Sequence, residues 1–157
     1  MCLTHARQVI YNPSDIVCYK FFIEEDDVVR GLYQPFVFRI GEREEAMLQN
    51  VWKCDRLMQF NGITVDGDST AKSGLRVNSG VFHSFSSYDV ASLFRKDYVC
   101  GGHAFLYIDM PIIKCRKCII PKDSKVIFRG YTEMDDFDYE SYASSEIIVT
   151  NEIIDFQ

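Results

Sequence analysis

The sequence lacks the segments that would place it in or across a membrane. It contains no run of about 18 apolar residues, the length that a spanning helix requires. Its first residues, Met1 to Arg7, have neither the apolar core nor the small-residue cleavage site of a secretory signal. We therefore expect a cytoplasmic protein without a membrane partner.

Positive charge is in short supply. The chain has 17 lysines and arginines against 23 acidic residues, which gives a net charge of −6. Proteins that bind the phosphate backbone of a nucleic acid usually carry a basic excess. The balance argues against a long nucleic acid as partner, but a local basic pocket for one small anion remains compatible with it.

The sequence also has no internal repeat and no low-complexity segment. Its 157 residues, 47% hydrophobic and 25% charged, are typical of one globular domain spanning 1–157. Aromatic residues make up 14%, which favours strands. We predict a β-dominated α+β fold: a twisted antiparallel sheet of five to seven strands, able to curl toward a barrel, with one helix.

Local patterns place these elements along the chain. Ser86 or Ser87 can cap a helix, and Val90, Leu93 and Phe94 form its apolar stripe, which predicts a helix over 87–96. Residues 42–50 predict a short helix or an irregular segment. Apolar and aromatic runs bounded by turn residues predict strands at 16–23, 36–40, 104–110, 112–120, 125–129 and 145–150.

Two segments predict loops. Residues 61–80 contain four glycines and read as an irregular loop, with a short strand at 63–65 inside it. Residues 133–140 are rich in acidic side chains and predict a solvated acidic loop.

Six cysteines occur without a secretory signal, so reduced thiols are expected. Cys100 with His103 and Cys115 with Cys118 have the spacing of a zinc site, which is one alternative interpretation as a small zinc-binding module. However, residues three apart on a strand point to opposite faces, so Cys115 and Cys118 should not converge on one ion. We expect no metal and no cofactor.

The segment 80–87 holds an imidazole and several hydroxyls directly before the predicted helix. Backbone N–H groups at such a position can bind an anion, and arginines can grip a phosphate. The candidate ligand-binding residues are therefore Arg76, His83, Ser84, Ser86 and Arg129. The alternative is structural: Ser86 caps the helix and His83 is a hydrogen-bonded core residue.

Three segments carry a resemblance: VFHSF at 81–85 before a short helix, KCIIPKDS at 117–124, and YASSEIIV at 142–149. This order resembles a group of short uncharacterised proteins of phages and gut bacteria, although Asp123 stands where that pattern favours glycine. The resemblance implies a setting in which small acidic proteins antagonise host defence. We interpret the chain as a non-catalytic binding protein for a nucleotide-like anion or a host protein; a homo-oligomer stays open.

A second resemblance points to an enzyme. Ser84-Phe85-Ser86 and Glu146 are similar to the middle serine element and the late glutamate of ADP-ribosyltransferases, which consume NAD. On this alternative Ser84 and Glu146 would be catalytic. The chain departs from that family, since Ser144 occupies the place of the first glutamine or glutamate of its Gln-x-Glu or Glu-x-Glu motif, and Arg129-Gly130 follows the serines rather than preceding them.

Overall fold

The computed structural model describes residues 5–10, 14–32, 36–46, 56–60, 63–67, 81–99, 112–125, 127–134 and 137–156. In chain order the first strands are β1 (His5–Val9), β2 (Ile16–Glu25), β3 (Val28–Gly31), β4 (Val37–Phe38), β5 (Arg43–Glu45), β6 (Arg56–Phe60), β7 (Ile63–Gly67) and β8 (Phe82–Phe85). Helix α1 (Tyr88–Phe94) continues into a π-helical turn, Arg95–Val99. The last strands are β9 (Ile113–Ile120), β10 (Ile127–Met134), β11 (Phe137–Ser144) and β12 (Glu146–Ile153).

Ten of these strands form one sheet, in the order β1-β10-β11-β8-β2-β9-β12-β5, with β3 paired to β2 and β4 to β3. All of the pairings are antiparallel. Six of the ten have five residues or more, and the other four have two to four; of these, β8 lies inside the sheet between β11 and β2. The predicted β-dominated α+β class with a twisted antiparallel sheet is thus confirmed. Strands β6 and β7 form a separate hairpin.

The short connection between β11 and β12 shows that the sheet is curled. Strands β11 and β12 are separated in the sheet by β8, β2 and β9, a span of about 19 Å in a flat sheet. Only Ser145 connects them, so their facing ends lie within about 7 Å. The Ser144 hydroxyl also donates a 2.9 Å hydrogen bond to the Glu146 carbonyl across this bend. The sheet nevertheless stays open, since its described outer strands, β1 and β5, do not pair.

Each face of the curled sheet carries its own core. The inner cluster takes buried side chains from strands all around the curl: Cys18, Phe22, Phe82, Cys118, Ile120, Ile127, Ile147 and Val149, with Val29 and Phe38 from β3 and β4. The helix-side cluster packs α1 against the other face through Phe21, Phe85, Ala91, Phe94, Ile113, Cys115 and Tyr139. The alternation along β2 and β9 explains why neighbouring residues belong to different clusters.

The predicted helix is confirmed. It begins at Tyr88 after the cap residue Ser87, whose Oγ accepts a 3.2 Å hydrogen bond from the amide of Val90. Ala91 and Phe94 are fully buried against the sheet. The Tyr139 hydroxyl, on β11, donates a 2.7 Å hydrogen bond to Asp97, which fixes the π-helical turn to the same face.

Two local predictions are wrong. Residues 133–134 and 137–140 are not loop residues: they belong to β10 and β11 and pair with each other, whereas 135 and 136 lie outside the described residues. The reason is the alternation in β11, where Tyr139, Ser141 and Ala143 are buried and the acidic residues lie on the other face. Likewise, residues 43–45 form β5 and neither the short helix nor the irregular segment predicted over 42–50, because they pair with the edge of β12.

The remaining predictions divide between confirmed strands and residues outside the described part. Strands β9, β10 and β12 lie where they were expected, and 63–65 fall in β7. Residues 66 and 67 of the predicted loop also belong to β7. Residues 61–62 and 68–80, the predicted strand 104–110, and residues 47–50 lie outside the described residues. Among the described residues, the structure contains no helix that is both long and apolar enough to cross a membrane.

Candidate functional site

The candidate site lies where one edge of β2 changes its partner. β9 occupies one edge of β2 along Ile16–Ile23. The opposite edge pairs with β8 only at Tyr19, and then with β3 from Phe22 onward. The two residues between, Lys20 and Phe21, have neither β8 nor β3 as a ladder partner. A partly open cavity of about 70 Å³ lies at this branch point.

Aromatic rings form most of the cavity wall. Six phenylalanines from β2, β4, β8, α1 and the segment before β4 contribute to it: Phe21, Phe36, Phe38, Phe82, Phe85 and Phe94. Their rings pack on one another at centroid distances of 4.8–6.0 Å, for example Phe36 with Phe82 at 5.2 Å and Phe85 with Phe94 at 4.9 Å. Such a wall favours apolar groups and strengthens any charge interaction beside it, because water is displaced.

Ser84 is the polar side chain that stands out in this cavity. It is 4% exposed, and its Oγ has no nitrogen or oxygen partner in the described part of the chain; the polar group beside it is the Cys18 thiol, whose pKa the Ser84 hydroxyl influences. Almost all buried hydroxyls in native proteins have a partner, and an unsatisfied one costs about 1–3 kcal/mol. An unpartnered hydroxyl on a cavity wall is therefore a position where a ligand atom can be bound.

Lys20 brings a positive charge to the same place. If the register of Tyr19 and Phe85 is continued by one residue, Lys20 comes opposite Ser84 on the inner face. Its Nζ donates a 2.7 Å hydrogen bond to the His83 carbonyl and lies 6.0 Å from the centre of the Phe22 ring. The Lys20 side chain thus bonds the backbone of β8 directly beyond Tyr19 and Phe85, where the backbone pairing of β2 with β8 ends.

The other polar side chains of the wall have different roles. His83 is buried, and its side chain belongs to the helix-side face because it is adjacent to Ser84 on one strand. Thr132 Oγ1 donates to Ser141 Oγ at 3.1 Å, and Ser141 Oγ donates to the Tyr139 carbonyl at 2.8 Å. The hydroxyl protons of Thr132 and Ser141 are therefore already used within the protein.

Of the other predicted ligand-binding residues, Ser86 and Arg129 do not line this cavity. Arg76 lies outside the described residues. Ser86 does not line the cavity, and its amide donates to the Glu140 carbonyl at 3.0 Å. Arg129 shares a cross-strand row with Tyr142 and Ser84, yet its exposed guanidinium is paired with Glu140, with Nε 2.9 Å from Oε1. This ion pair raises the pKa of Arg129.

The helix start also corrects one assignment. Ser87 and not Ser86 is the N-cap, because the Ser87 hydroxyl accepts from the amide of Val90. At the start of α1, the amide of Val90 is already bonded to the Ser87 hydroxyl, and the amide of Ala91 is bonded to the Ser87 carbonyl. What remains of that prediction is Ser84 and His83, which line the cavity from β8.

We expect Ser87→Ala to lower the free energy of unfolding by about 1 kcal/mol, because it removes the cap of α1. Ser86→Ala should change it by less than about 0.5 kcal/mol, since its side chain has no such role. Urea denaturation of both variants measures the difference. An equal loss in the two variants would contradict the assignment of the cap.

The carboxylate of the alternative catalytic interpretation is occupied elsewhere. Glu146 Oε1 accepts from Arg43 Nε at 2.7 Å, and Oε2 accepts from the amide of Lys125 at 3.2 Å. Arg43 also bonds Asp123 at 2.9 Å, which lowers the pKa of that carboxyl. Glu146 does not line the cavity, so the structure does not bring it together with Ser84 there.

The cysteines of the alternative zinc interpretation point apart. Cys115 packs in the helix-side cluster and Cys118 in the inner cluster, so the two side chains lie on opposite faces of β9. Cys100 and His103 lie outside the described residues.

Burial raises the pKa of Cys18 to about 12, although the Ser84 hydroxyl and the Lys20 charge oppose this, and it raises that of Cys115 to about 12 as well.

Comparisons of this chain with protein-family models, with curated proteins and with solved structures found no match. Its chemistry must therefore be inferred from the cavity itself. The sequence analysis identifies Ser84 as a candidate but not Lys20. A lysine in the middle of the apolar run 16–23 is nevertheless a signal that could have found it, because lysine is rarely buried without a partner.

Proposed function

We propose that the protein is a small non-catalytic binding protein that holds the anionic group of a small ligand in the cavity between β2, β3 and β8. Ser84 would donate its hydroxyl proton to the ligand, and Lys20 would supply the compensating charge. The observation that carries this proposal is the buried Ser84 Oγ without a partner on the cavity wall.

The free-energy cost of burying the Ser84 hydroxyl without a hydrogen bond favours a binding role over a purely structural one. A serine that only filled space would be improved by alanine, because its buried hydroxyl has lost its water without gaining a protein partner. Proteins retain such locally unfavourable groups mainly where function requires them. A hydrogen bond from Ser84 to an ionised ligand would contribute about 1.5–3 kcal/mol.

The biological setting of the proposal comes from the resemblance to short proteins of phages and gut bacteria. In that setting a small acidic protein would act in the host cytoplasm by sequestering an anionic signal. A cavity of about 70 Å³ exceeds the volume that a single water needs, so it admits one compact group of such a ligand. The remainder of a larger ligand would lie at the opening.

Ser84→Ala tests the proposal because it should move stability and binding in opposite directions. We expect the unliganded variant to be as stable as the wild type or more stable by about 1–3 kcal/mol, since an unsatisfied hydroxyl is removed. We expect its affinity for an anionic ligand to fall by about tenfold to a hundredfold. Thermal unfolding with and without a panel of small carboxylates, inorganic phosphate and nucleotides provides both measurements.

Lys20→Met removes the positive charge from the cavity and should weaken binding of the anion. Lys122→Met is the matched control, because it removes an exposed lysine outside the cavity and should leave binding unchanged. The proposal would be abandoned if no anion of the panel stabilised the wild type, or if Ser84→Ala lost stability and kept its full affinity.

A further inference from the structure

Two buried cysteines face each other across two central strands of the sheet. Cys18 on β2 is the register partner of Cys118 on β9, and both side chains belong to the inner cluster, where each is fully buried. Residues directly opposite each other in an antiparallel pair have Cα atoms about 4.5–5.5 Å apart. A disulfide requires about 4.4–6.8 Å between the Cα atoms of its cysteines. The backbone therefore holds Cys18 and Cys118 at a distance that one S–S bond can span.

The cavity reaches to within one side chain of this pair. Ser84 lines the cavity wall, and its hydroxyl lies beside the Cys18 thiol. The cavity is partly open, and its volume of about 70 Å³ is several times the roughly 10–15 Å³ that one water needs. Hydrogen peroxide, which has only two heavy atoms, can therefore enter the cavity and approach Cys18 at Ser84.

The surroundings of the two thiols give them different roles. Burial disfavours the Cys18 thiolate, but the Ser84 hydroxyl and the Lys20 charge both favour it. Lys20 acts in this way even though its Nζ is bonded to the His83 carbonyl, because a charge acts over a distance. The Cys118 thiol donates a 3.6 Å hydrogen bond to a carbonyl of its own strand. Cys18, the thiol beside the cavity wall, is thus the one that meets an oxidant first.

We propose that Cys18 and Cys118 form a peroxide-reactive pair, in which hydrogen peroxide entering through the cavity oxidises Cys18 and Cys118 then closes a disulfide between β2 and β9. This activity is independent of the anion binding proposed above. It adds a small oxidant as a second kind of molecule that the cavity admits.

The oxidation proceeds in two balanced steps. The Cys18 sulfur attacks one peroxide oxygen, the O–O bond breaks, and the other oxygen leaves as water with the thiol proton, which gives a sulfenic acid. The Cys118 sulfur then attacks the sulfenic sulfur, the S–O bond breaks, and a second water leaves with the Cys118 proton. The two sulfurs together lose the two electrons that reduce the peroxide. A dithiol reductant returns the disulfide to two thiols.

Peptide mapping tests the pair in the whole folded protein. The protein is treated with hydrogen peroxide at neutral pH, the remaining thiols are alkylated, and trypsin is added. Trypsin cleaves after Lys117, so Cys115 and Cys118 fall in different peptides. We expect one cross-linked species that contains Cys18 and Cys118, weighs two hydrogen atoms less than the separate peptides, and disappears after reduction.

Two variants control the mapping. Cys115→Ala is the matched control, because Cys115 is also buried but lies on the opposite face of β9, and its loss should leave the link unchanged. Cys118→Ala should abolish the link and leave Cys18 as a sulfenic acid that dimedone traps. If Cys118→Ala fails to fold, the map of the wild type still identifies the partner of Cys18.

A bulky hydroperoxide distinguishes entry through the cavity from oxidation of the unfolded chain. Cumene hydroperoxide carries a phenyl ring, and benzene occupies an engineered cavity of about 150 Å³, roughly twice the volume here. After each rate is divided by that of the urea-unfolded protein, hydrogen peroxide should oxidise the folded protein at least about tenfold faster. Equal normalised rates would overturn the proposal. So would a link from Cys18 to another cysteine, or a folded protein in which Cys18 and Cys118 remain thiols.

Discussion

Arg116→Leu should lower the free energy of unfolding by about 3–5 kcal/mol, the typical result of removing one partner from a buried ion pair. Arg116 lies on the inner face of β9, where 8% of its side chain is exposed, against 15% for Glu24. Its Nε and Nη2 donate to the two Glu24 oxygens at 2.9 and 2.7 Å, and Nη1 donates to the Thr150 carbonyl at 3.2 Å. Without the arginine, the Glu24 carboxylate on β2 stays unpaired with little access to water.

Two further variants show whether the expected loss of stability comes from the burial of the ion pair or from the removal of an arginine as such. Arg129→Leu removes the same type of pair, with Glu140, from an exposed position, and should cost at most about 1 kcal/mol. The double variant Glu24→Leu with Arg116→Leu should recover much of the loss, because it leaves no unpaired charge. Urea denaturation measures all three. Similar losses for Arg116→Leu and Arg129→Leu would refute the explanation from burial.

The parts of the fold that the sequence predicted are those with a strong period. Strand β9 reads as alternating apolar positions, so its length and the opposite orientation of Cys115 and Cys118 could both be predicted. The helix could be predicted from its serine cap and the stripe that ends at Phe94. In these segments, local preference and tertiary packing favour the same structure.

The missed strands are those in which local and tertiary preferences differ. β3 follows a tight turn at Asp26 and Asp27, whose φ angles are 52° and 62°. Such hairpin turns usually show Asn-Gly or Asp-Gly, and two acidic residues instead suggested only the end of a strand. The residues of β5 predict a short helix or an irregular segment because Glu44 and its neighbours favour helices, but pairing with β12 and the bonds of Glu44 to Arg39 determine the structure.

The candidate site shows a similar division. Ser84 could be identified because hydroxyls are dense in the segment 80–87, but its lack of a partner is visible only in three dimensions. Lys20 precedes it by more than sixty residues, and the two meet because β2 shares one edge between β8 and β3. That branch leaves no signal in local periodicity. The sequence therefore predicts a site on β8, but only the pairing of β2 with β8 shows that the Lys20 charge lies beside it.

We expect stability to fall steeply as the pH rises from about 9 toward 12. Burial raises the pKa of Cys18 and of Cys115 from 9.0 to about 12, and it raises the pKa of Cys118 well above its usual value. Above pH 9 the unfolded chain releases these protons while the folded chain retains them, so rising pH favours unfolding. Each thiol then costs about 1.4 kcal/mol per pH unit, and the three together roughly 4 kcal/mol per unit. Below pH 9 they should contribute no pH dependence.

Cys18→Ala tests this origin because it removes one of the three thiols and should reduce the slope between pH 9 and 11 by about a third. Val149→Ala is the matched control: Val149 is equally buried in the inner cluster but cannot titrate, so its loss should lower stability by the same amount at every pH. Urea denaturation under reducing conditions at pH 7, 9, 10 and 11 measures the slopes. A flat profile up to pH 11, or a slope that Cys18→Ala leaves unchanged, would show that the buried thiols do not control alkaline unfolding.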